Sequence, residues 1–472
     1  MRSQHTGILQ LARFGDLIQT SPLIQQVKRM RPNASICLFV DARTKAAAEI
    51  IDGVDEIVPI DLSRRPWPVK ASLAQQTLDS LEWQKSFADR DPLDKLIILN
   101  QDPISGAIGE LIPATERRGP RLRCVLPAPH RYLTLAVQDR KYNPIHLCEI
   151  WAAYSGNRNP VPSPILANNA LGTGFAMIEG RDRPSSMKFK RFAINMGAKA
   201  AGRRPPWEKL AEIASQLLDS GDCRIVLLGM DEDRASAMKM IRSMPESQRE
   251  RIIDLCGETT LQDLPGVLSG CDVLISSDTG TLQLASATGT RCIGLFMAGA
   301  NPVETGPYAE NAIAVVRRDT LDFNEQQRDD LNDLPVRTIV SIASNLANRE
   351  EPDGRNIDAS NAFAVLVARP DAVGIRYSPL NKEDSVPLGQ GERWLPYLRR
   401  LINHEAFRPS GEQVLRAELD EQQLDVLERL IARPDTACTG EERWLGSIAQ
   451  AFVRETMGLL NAKHESAKLH RS

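Results

Sequence analysis

Short apolar, β-branched runs alternate with stretches of helical period along residues 1–348, which predicts parallel sheets with helices on both faces. The first runs are Gly7 to Leu11, Ile36 to Val40, Glu56 to Ile60 and Lys95 to Leu99. Helical patterns over Leu17 to Met30, Thr44 to Ile51 and about Val69 to Ala88 lie between them. From Gly156 to Pro184 the chain is rich in Asn, Pro, Gly and Ser, which reads as a linker. A second series follows, with runs at Phe192 to Met196, Arg224 to Gly229, Ile252 to Leu255, Val273 to Ser276, Cys292 to Phe296 and Ala312 to Val316. Past Arg349 the pattern changes to one β-like run, Ala362 to Ala368, and then Leu- and Glu-rich segments of helical period. These cover Glu392 to Asn403, Ser410 to Arg433 and Glu441 to Leu460, and Trp394, Tyr397, Leu398 and Leu401 at helical spacing read as core. The expected division is an α/β domain over residues 1–170, a second over 185–348, and a mostly helical appendage over 357–472.

The turns that leave the strands carry the chemistry. Val273 to Ser276 runs into Ser277-Asp278-Thr279-Gly280, and a helix then continues to Thr288 and stops at Gly289. A helix start at the carboxyl edge of a parallel sheet presents free N–H groups, so Thr279 and Gly280 suit the diphosphate of a nucleotide. Other loops are expected at the same edge: Gly197 to Arg204, with Arg203 and Arg204, and Gly229 to Asp233, with Asp231 and Glu232. Guanidinium groups suit phosphate oxygens, and the two carboxylates suit sugar or ribose hydroxyls. In the first half, Gly15 permits a tight turn and Asp16 falls at a helix start, either as a cap or as a general base.

Composition excludes some classes. A chain of 472 residues is too long for one core, and a net charge of −3 gives no global case for nucleic acid. The basic run Arg117, Arg118, Arg121, Arg123, Arg131, Arg140 and Lys141 reads either as a solvated face or as a surface for an anionic acceptor or membrane. Eight cysteines occur singly, without a metal-ligand spacing, which suggests a reducing compartment and no structural metal. No apolar run reaches the roughly 18 residues that span a bilayer, and the N-terminal apolar segment is short for a signal peptide, so the cytoplasm is expected.

Two paired motifs resemble those of family 9 glycosyltransferases, whose best-known members are the ADP-heptose:lipopolysaccharide heptosyltransferases. Gly15, Asp16, Thr20 and Pro22 match the opening motif; Ser277 to Gly280, with Gly306-Pro307-Tyr308, match the second, and Arg203-Arg204 before Pro205 match its basic loop. The resemblance covers roughly residues 6 to 345. It departs at Gln283, where the family usually has His, and at Arg203, where Lys is expected. The resemblance implies a GT-B fold of two Rossmann-type domains facing a cleft. It further implies an inverting, metal- and cofactor-independent transfer of a heptose-like sugar, with ADP-heptose the expected donor and a lipopolysaccharide-type, lipid-linked or other anionic glycan as acceptor. In that reading Asp16 is the base. Arg203, Arg204, Asp231, Glu232, Asp278, Thr279, Gly280 and Gln283 serve the donor, and Gly15, Thr20, Arg117 and Arg118 lie on the acceptor side. It places the protein in the cytoplasm or on the cytoplasmic face of the inner membrane, with the domains closing about the linker. Two alternatives stay open: a non-catalytic member that binds a nucleotide-sugar or glycan and acts through its appendage, and a protein-directed transferase.

Overall fold

The structure, a computed structural model, describes residues 4–62, 84–121, 126–156, 160–167, 174–179, 189–320, 333–352, 362–381, 392–402, 420–432, 437 and 439–450. Most of the expected helix over 69–88, Arg123, and the side chains of Tyr397 and Leu401 lie outside that set, as do parts of the linker and of the appendage.

The first sheet holds five parallel strands: β1 (His5–Gln10), β2 (Ser35–Asp41), β3 (Glu56–Ile60), β4 (Leu93–Ile98) and β5 (Ala114–Arg118). Their order, β3-β2-β1-β4-β5, reverses direction at β1 and β4. A crevice therefore opens outside the carboxyl ends of those two strands, where their outgoing loops diverge. The strand β5 was not expected, because Ala-Thr-Glu-Arg-Arg at a sheet edge has no apolar run and reads as part of the basic stretch.

The second sheet holds β6 (Lys190–Asn195), β7 (Cys223–Leu228), β8 (Ile252–Asp254), β9 (Val273–Ser277), β10 (Arg291–Phe296), β11 (Ile313–Arg317), β12 (Phe363–Pro370) and β13 (Ile375–Pro379). Its order is β13-β12-β11-β10-β9-β6-β7-β8, parallel except that β12 and β13 run antiparallel. Here the reversal falls between β6 and β9. The central strands are buried on both faces, with Ile194, Ile275 and Ile293 on one and Ala193, Leu274 and Cys292 on the other, which explains their continuous apolar runs. The expected appendage thus begins as two strands of this sheet, before the helices that follow.

Two local differences position the site. The expected helix Leu17 to Met30 is two helices, α1 (Phe14–Ile18) and α2 (Ser21–Met30). Pro22 has no N–H to donate to a carbonyl four residues back, so the chain turns before it. The Ser21 hydroxyl donates to Ile165 O at 3.1 Å and accepts from Ile165 N at 3.0 Å, tying α2 to the linker.

In the C-terminal region Trp394, Leu398, Leu427, Leu430, Trp444 and Ile448 are buried in the same continuous core as Tyr142 and Ile150 of the first half. Among the described residues no helix is long and apolar enough to cross a membrane. Cys37, Cys148, Cys223, Cys256, Cys271 and Cys292 are all buried, and none of these six is in a disulfide.

Candidate active site

Asp16 leaves β1 through a pinned loop. Asn100, just past β4, accepts from Leu11 N at 2.7 Å through Oδ1, and its Nδ2 donates to Gln10 Oε1 at 2.7 Å. Within α1 the Asp16 Oδ2 accepts the Arg13 N–H at 3.1 Å, so one oxygen does the work of a helix-start acid. Thr20, placed on the acceptor side by the resemblance, is fully buried. Its hydroxyl donates to the Asp16 carbonyl at 2.9 Å, so Thr20 stands behind Asp16 and fixes its backbone. Burial pushes the Asp16 carboxyl above the ordinary carboxylate range, against the lowering effect of the Arg13 N–H and charge.

The two halves touch at this point. A Cβ placed on Gly15 would lie 3.4 Å from Gly280 Cα and 3.4 Å from Gln283 Cγ. One placed on Gly280 would lie 2.3 Å from Phe14 Cδ1. The helix Gly280–Thr288 thus starts directly against α1, and it ends at Gly289, whose φ of +73° suits a residue without Cβ. Thr279 occupies the capping position without capping; its Oγ1 bonds instead with Ser276 Oγ at 3.1 Å and Asn195 Nδ2 at 3.4 Å. Among the described residues no side chain caps the first turn.

Arg203, beyond β6, reaches the same turn. Its Nη1 donates to Asp278 Oδ2 at 2.9 Å and its Nε to Ala298 O at 3.3 Å. Burial raises the Asp278 carboxyl above its usual range; Arg203 and Arg140 pull it down and Asp16 pushes it up, so these four charges form one electrostatic unit.

Arg204 turns elsewhere, to Asp233 at 3.2 Å and Glu232 at 3.7 Å, with a buried Nε that has no hydrogen-bond partner. Of the acidic loop, the Asp231 and Glu232 side chains are 88% and 72% exposed, which leaves both open to a ligand; Asp231 lies 3.6 Å from Arg234. Asp233, not singled out from the sequence, is the buried member.

Gln283 Nε2 donates to Thr305 O at 2.5 Å, while its buried Oε1 has no partner. Gln19 Nε2 donates to the same carbonyl at 3.2 Å, so Thr305 receives one amide from each half.

Beside Asp16 lies a cavity of about 410 Å³. Its first-half walls include Leu99, Asn100, Leu133, Ile150 and Trp151, and Glu304 and Thr305 close it from the second half. Arg140 crosses between the halves, donating through Nε to Glu304 Oε2 at 2.7 Å and through Nη1 to Gly299 O at 2.6 Å. Asn143 Nδ2 reaches Glu304 Oε1 at 3.3 Å. His146 Nδ1 accepts from Cys148 N, so Nε2 carries the proton and donates to Gly306 O at 2.9 Å. Burial lowers this imidazole to about 4 and keeps it neutral. The sequence flagged Arg140 and Gly306-Pro307-Tyr308 separately; the pairing of Arg140 with Gly299 and Glu304 had no signal, because the partners lie more than 150 residues apart.

Arg117 and Arg118, expected on the acceptor side, are not among the cavity residues. Arg117 instead holds the end of the helix Pro103–Leu111, donating to Gly109 O, Ile112 O and Ala114 O at 2.6–3.0 Å. Arg118 pairs with Glu116 on the same edge strand at 2.5 Å. Arg121 pairs with Glu110 at 2.8 Å, and Lys141 lies 3.9 Å from Asp139, so much of the basic run is internally compensated.

The family model for glycosyltransferase family 9 (heptosyltransferase) matches residues 175–333, the half that carries Arg203, Asp278 and Glu304. The lipooligosaccharide heptosyltransferase 2 of Haemophilus influenzae is 25% identical over 318 residues, which is 64% of this chain and 85% of that protein. That length extends the likeness well outside the family-model segment. Among solved structures, Escherichia coli ADP-heptose lipopolysaccharide heptosyltransferase II superposes with a TM-score of 0.55 at 17% identity, over 73% of this chain and 99% of its own. A family 9 glycosyl transferase from Veillonella parvula gives 0.56 at 16% identity, over 74% and 98%. The family model, the curated relative and the shared two-sheet fold point the same way: the chain is similar to the heptosyltransferases of glycosyltransferase family 9, most directly over residues 175–333.

Proposed function

We propose that the protein moves a heptose from ADP-heptose to a lipooligosaccharide-type acceptor, with inversion at the anomeric carbon. The observation that carries this reading is the apposition of Asp16, on the first half, with the uncapped helix start at Gly280 and with Arg203, on the second. The acceptor hydroxyl attacks the anomeric carbon from the Asp16 side and gives its proton to the carboxylate, while the bond to the diphosphate oxygen breaks. A carboxylate raised by burial is the better proton acceptor for that step. The N–H groups of Gly280 and the following residue, the helix dipole and the Arg203 guanidinium take up the charge on the departing diphosphate. Asp278 holds the guanidinium in place, and the exposed Asp231 and Glu232 are available to sugar or ribose hydroxyls.

The heptose and the lipooligosaccharide come from the names of curated relatives, and ADP from the family expectation. Gln283 replaces a group that could be cationic with a neutral amide, and Arg203 replaces a point charge with a planar fork. Both keep hydrogen bonding to the donor. Work at the cytoplasmic face of the inner membrane, without metal or cofactor, completes the proposal.

The test is a transfer assay of the purified chain with ADP-, GDP- and UDP-linked sugars and a heptose-deficient lipooligosaccharide, with and without EDTA. Transfer from ADP-heptose that persists in EDTA is expected, with the anomeric configuration of the product inverted. Nucleotide-sugar binding with no transfer to any acceptor would sink the enzyme reading and leave a binding protein.

A further inference from the structure

A buried ion cluster joins three segments that are far apart in sequence. Glu149 lies on the helix Leu147–Ala152 with its side chain 2% exposed. Arg399, on the C-terminal helix Leu395–Ile402, donates through Nε and Nη2 to both Glu149 oxygens, at 2.7 and 2.9 Å. Its Nη1 donates to Asp371 Oδ2 at 2.9 Å. Asp371 accepts the N–H groups of Val373 and Gly374 at 2.8 Å each, which closes the turn between β12 and β13.

That hairpin also grips the loop behind the cleft. Tyr377 donates its hydroxyl to Pro307 O at 2.8 Å, and Ile375 N donates to Tyr308 OH at 3.1 Å. Val161, in the linker, donates its N–H to Val373 O at 2.7 Å. The packing is close enough that a Cβ on Gly374 would fall 2.1 Å from the Tyr308 hydroxyl and 2.6 Å from Glu149 Oε1.

The same elements line the cavity beside Asp16. The Glu149 helix supplies Leu147, Ile150 and Trp151, and the chain just before Pro307 supplies Glu304 and Thr305. The helix Ala128–Ala136, which supplies Leu133, packs against the Arg399 helix. The cavity therefore has one wall from each half, and the C-terminal region is bonded to the back of both.

We propose that Arg399 and Tyr377 are positioning residues for the acceptor: the C-terminal region is a buttress that sets the separation of the two cavity walls. The proposal rests on the reading that this cavity receives the acceptor. Burying Glu149 and most of Arg399 costs desolvation and is tolerable because every oxygen facing the guanidinium is bonded. Such a cluster is weak as a source of stability but strict about geometry, and transfer needs its groups held within about half an ångström.

The experiment uses the full chain with Arg399→Lys and Tyr377→Phe, ADP-heptose as donor and heptose-deficient lipooligosaccharide as acceptor. Both variants are expected to lower kcat/KM for the acceptor on the order of tenfold while the Kd for ADP shifts less than about twofold. Arg399→Ala is expected to fall further than the lysine variant. Amide exchange should quicken over residues 147–152 and 301–308 and stay unchanged over 273–288. A lowered Tm with acceptor kcat/KM and exchange at 147–152 both unchanged would reduce the region to a structural add-on. If Arg399→Ala does not fold, Tyr377→Phe, which removes one hydroxyl, carries the same readouts. If the wild type transfers no sugar, the assigned activity fails, and the exchange pattern still decides whether the buttress exists.

Discussion

Asp16 and Asp278 occupy equivalent places in the two halves, each just beyond a central parallel strand and at the start of a helix, and both are raised by burial. What surrounds them differs. Asp278 faces the Arg203 guanidinium at 2.9 Å and also senses Arg140. Asp16 has the Arg13 N–H, the Arg13 charge and its own backbone N–H to offset its burial and, among the described residues, no ion-paired cation. A carboxylate held by a fixed cation is a poor proton acceptor but a good orienter of that cation. One left without a close cation keeps its basicity. Under the proposed function, the same local motif, strand then acid then helix, serves as a base in one half and a cation holder in the other.

Exchange of each acid for its amide separates the two roles most sharply. Asp16→Asn is expected to reduce transfer by about 10²–10⁴-fold with ADP affinity unchanged, the size of a lost general base. Asp278→Asn is expected to act chiefly on the donor, raising its KM on the order of tenfold by freeing Arg203. Steady-state kinetics with calorimetric ADP binding checks both, and equal losses in kcat for the two variants would erase the distinction.

The contact between the halves gives the next test. Gly280→Ala would drive a Cβ into Phe14, so a stability loss of about 1–3 kcal/mol, with a fall in transfer, is expected. Gly15→Ala meets only ordinary contacts at 3.4 Å and should change stability by less than about 0.5 kcal/mol. Thermal unfolding of the pair measures the asymmetry.

The pH dependence follows from the Asp16 shift. Transfer needs the ionised form, so the rate falls as pH drops through a folded-state pKa above the ordinary 3.8. For stability the sign is opposite. Ionised Asp16 opposes folding in full above its folded pKa; the penalty fades as pH falls from there towards the unfolded value and is gone below it. Asp16→Asn should therefore be slightly more stable than wild type near neutrality and no different near pH 3, a comparison that denaturant titrations at the two pH values resolve.

The smallest effect is expected at Arg117. Arg117→Leu removes donors from three carbonyls at the edge of the first sheet, costing about 1 kcal/mol with no change in acceptor KM.

Where the chain was legible, it was so for local reasons. Buried parallel strands are continuous apolar runs, and helix starts beside glycine announce themselves, so the strand list and the Asp16, Arg203 and Asp278 turns could be read directly. The strands β5 and β13 could not. Ala-Thr-Glu-Arg-Arg and Ile-Arg-Tyr-Ser-Pro lie at sheet edges, where one side of the strand needs no apolar cover. Arg117 was misread for a related reason: a guanidinium spent on backbone carbonyls looks, in sequence, the same as one offered to a ligand.

By itself the sequence determined two α/β halves, the family they resemble, and which turns carry acids and arginines, because period, glycine and charge are local quantities. Only the tertiary structure decided which of those turns meet. It set Gly15 against Gly280, gave Asp278 a cation and left Asp16 without a close one, and spent Arg140 on Glu304 and Arg399 on Glu149. Each of these depends on contacts between residues far apart in the chain. The burial and neighbouring charge that fix a carboxylate's basicity do not exist until the two halves close on each other.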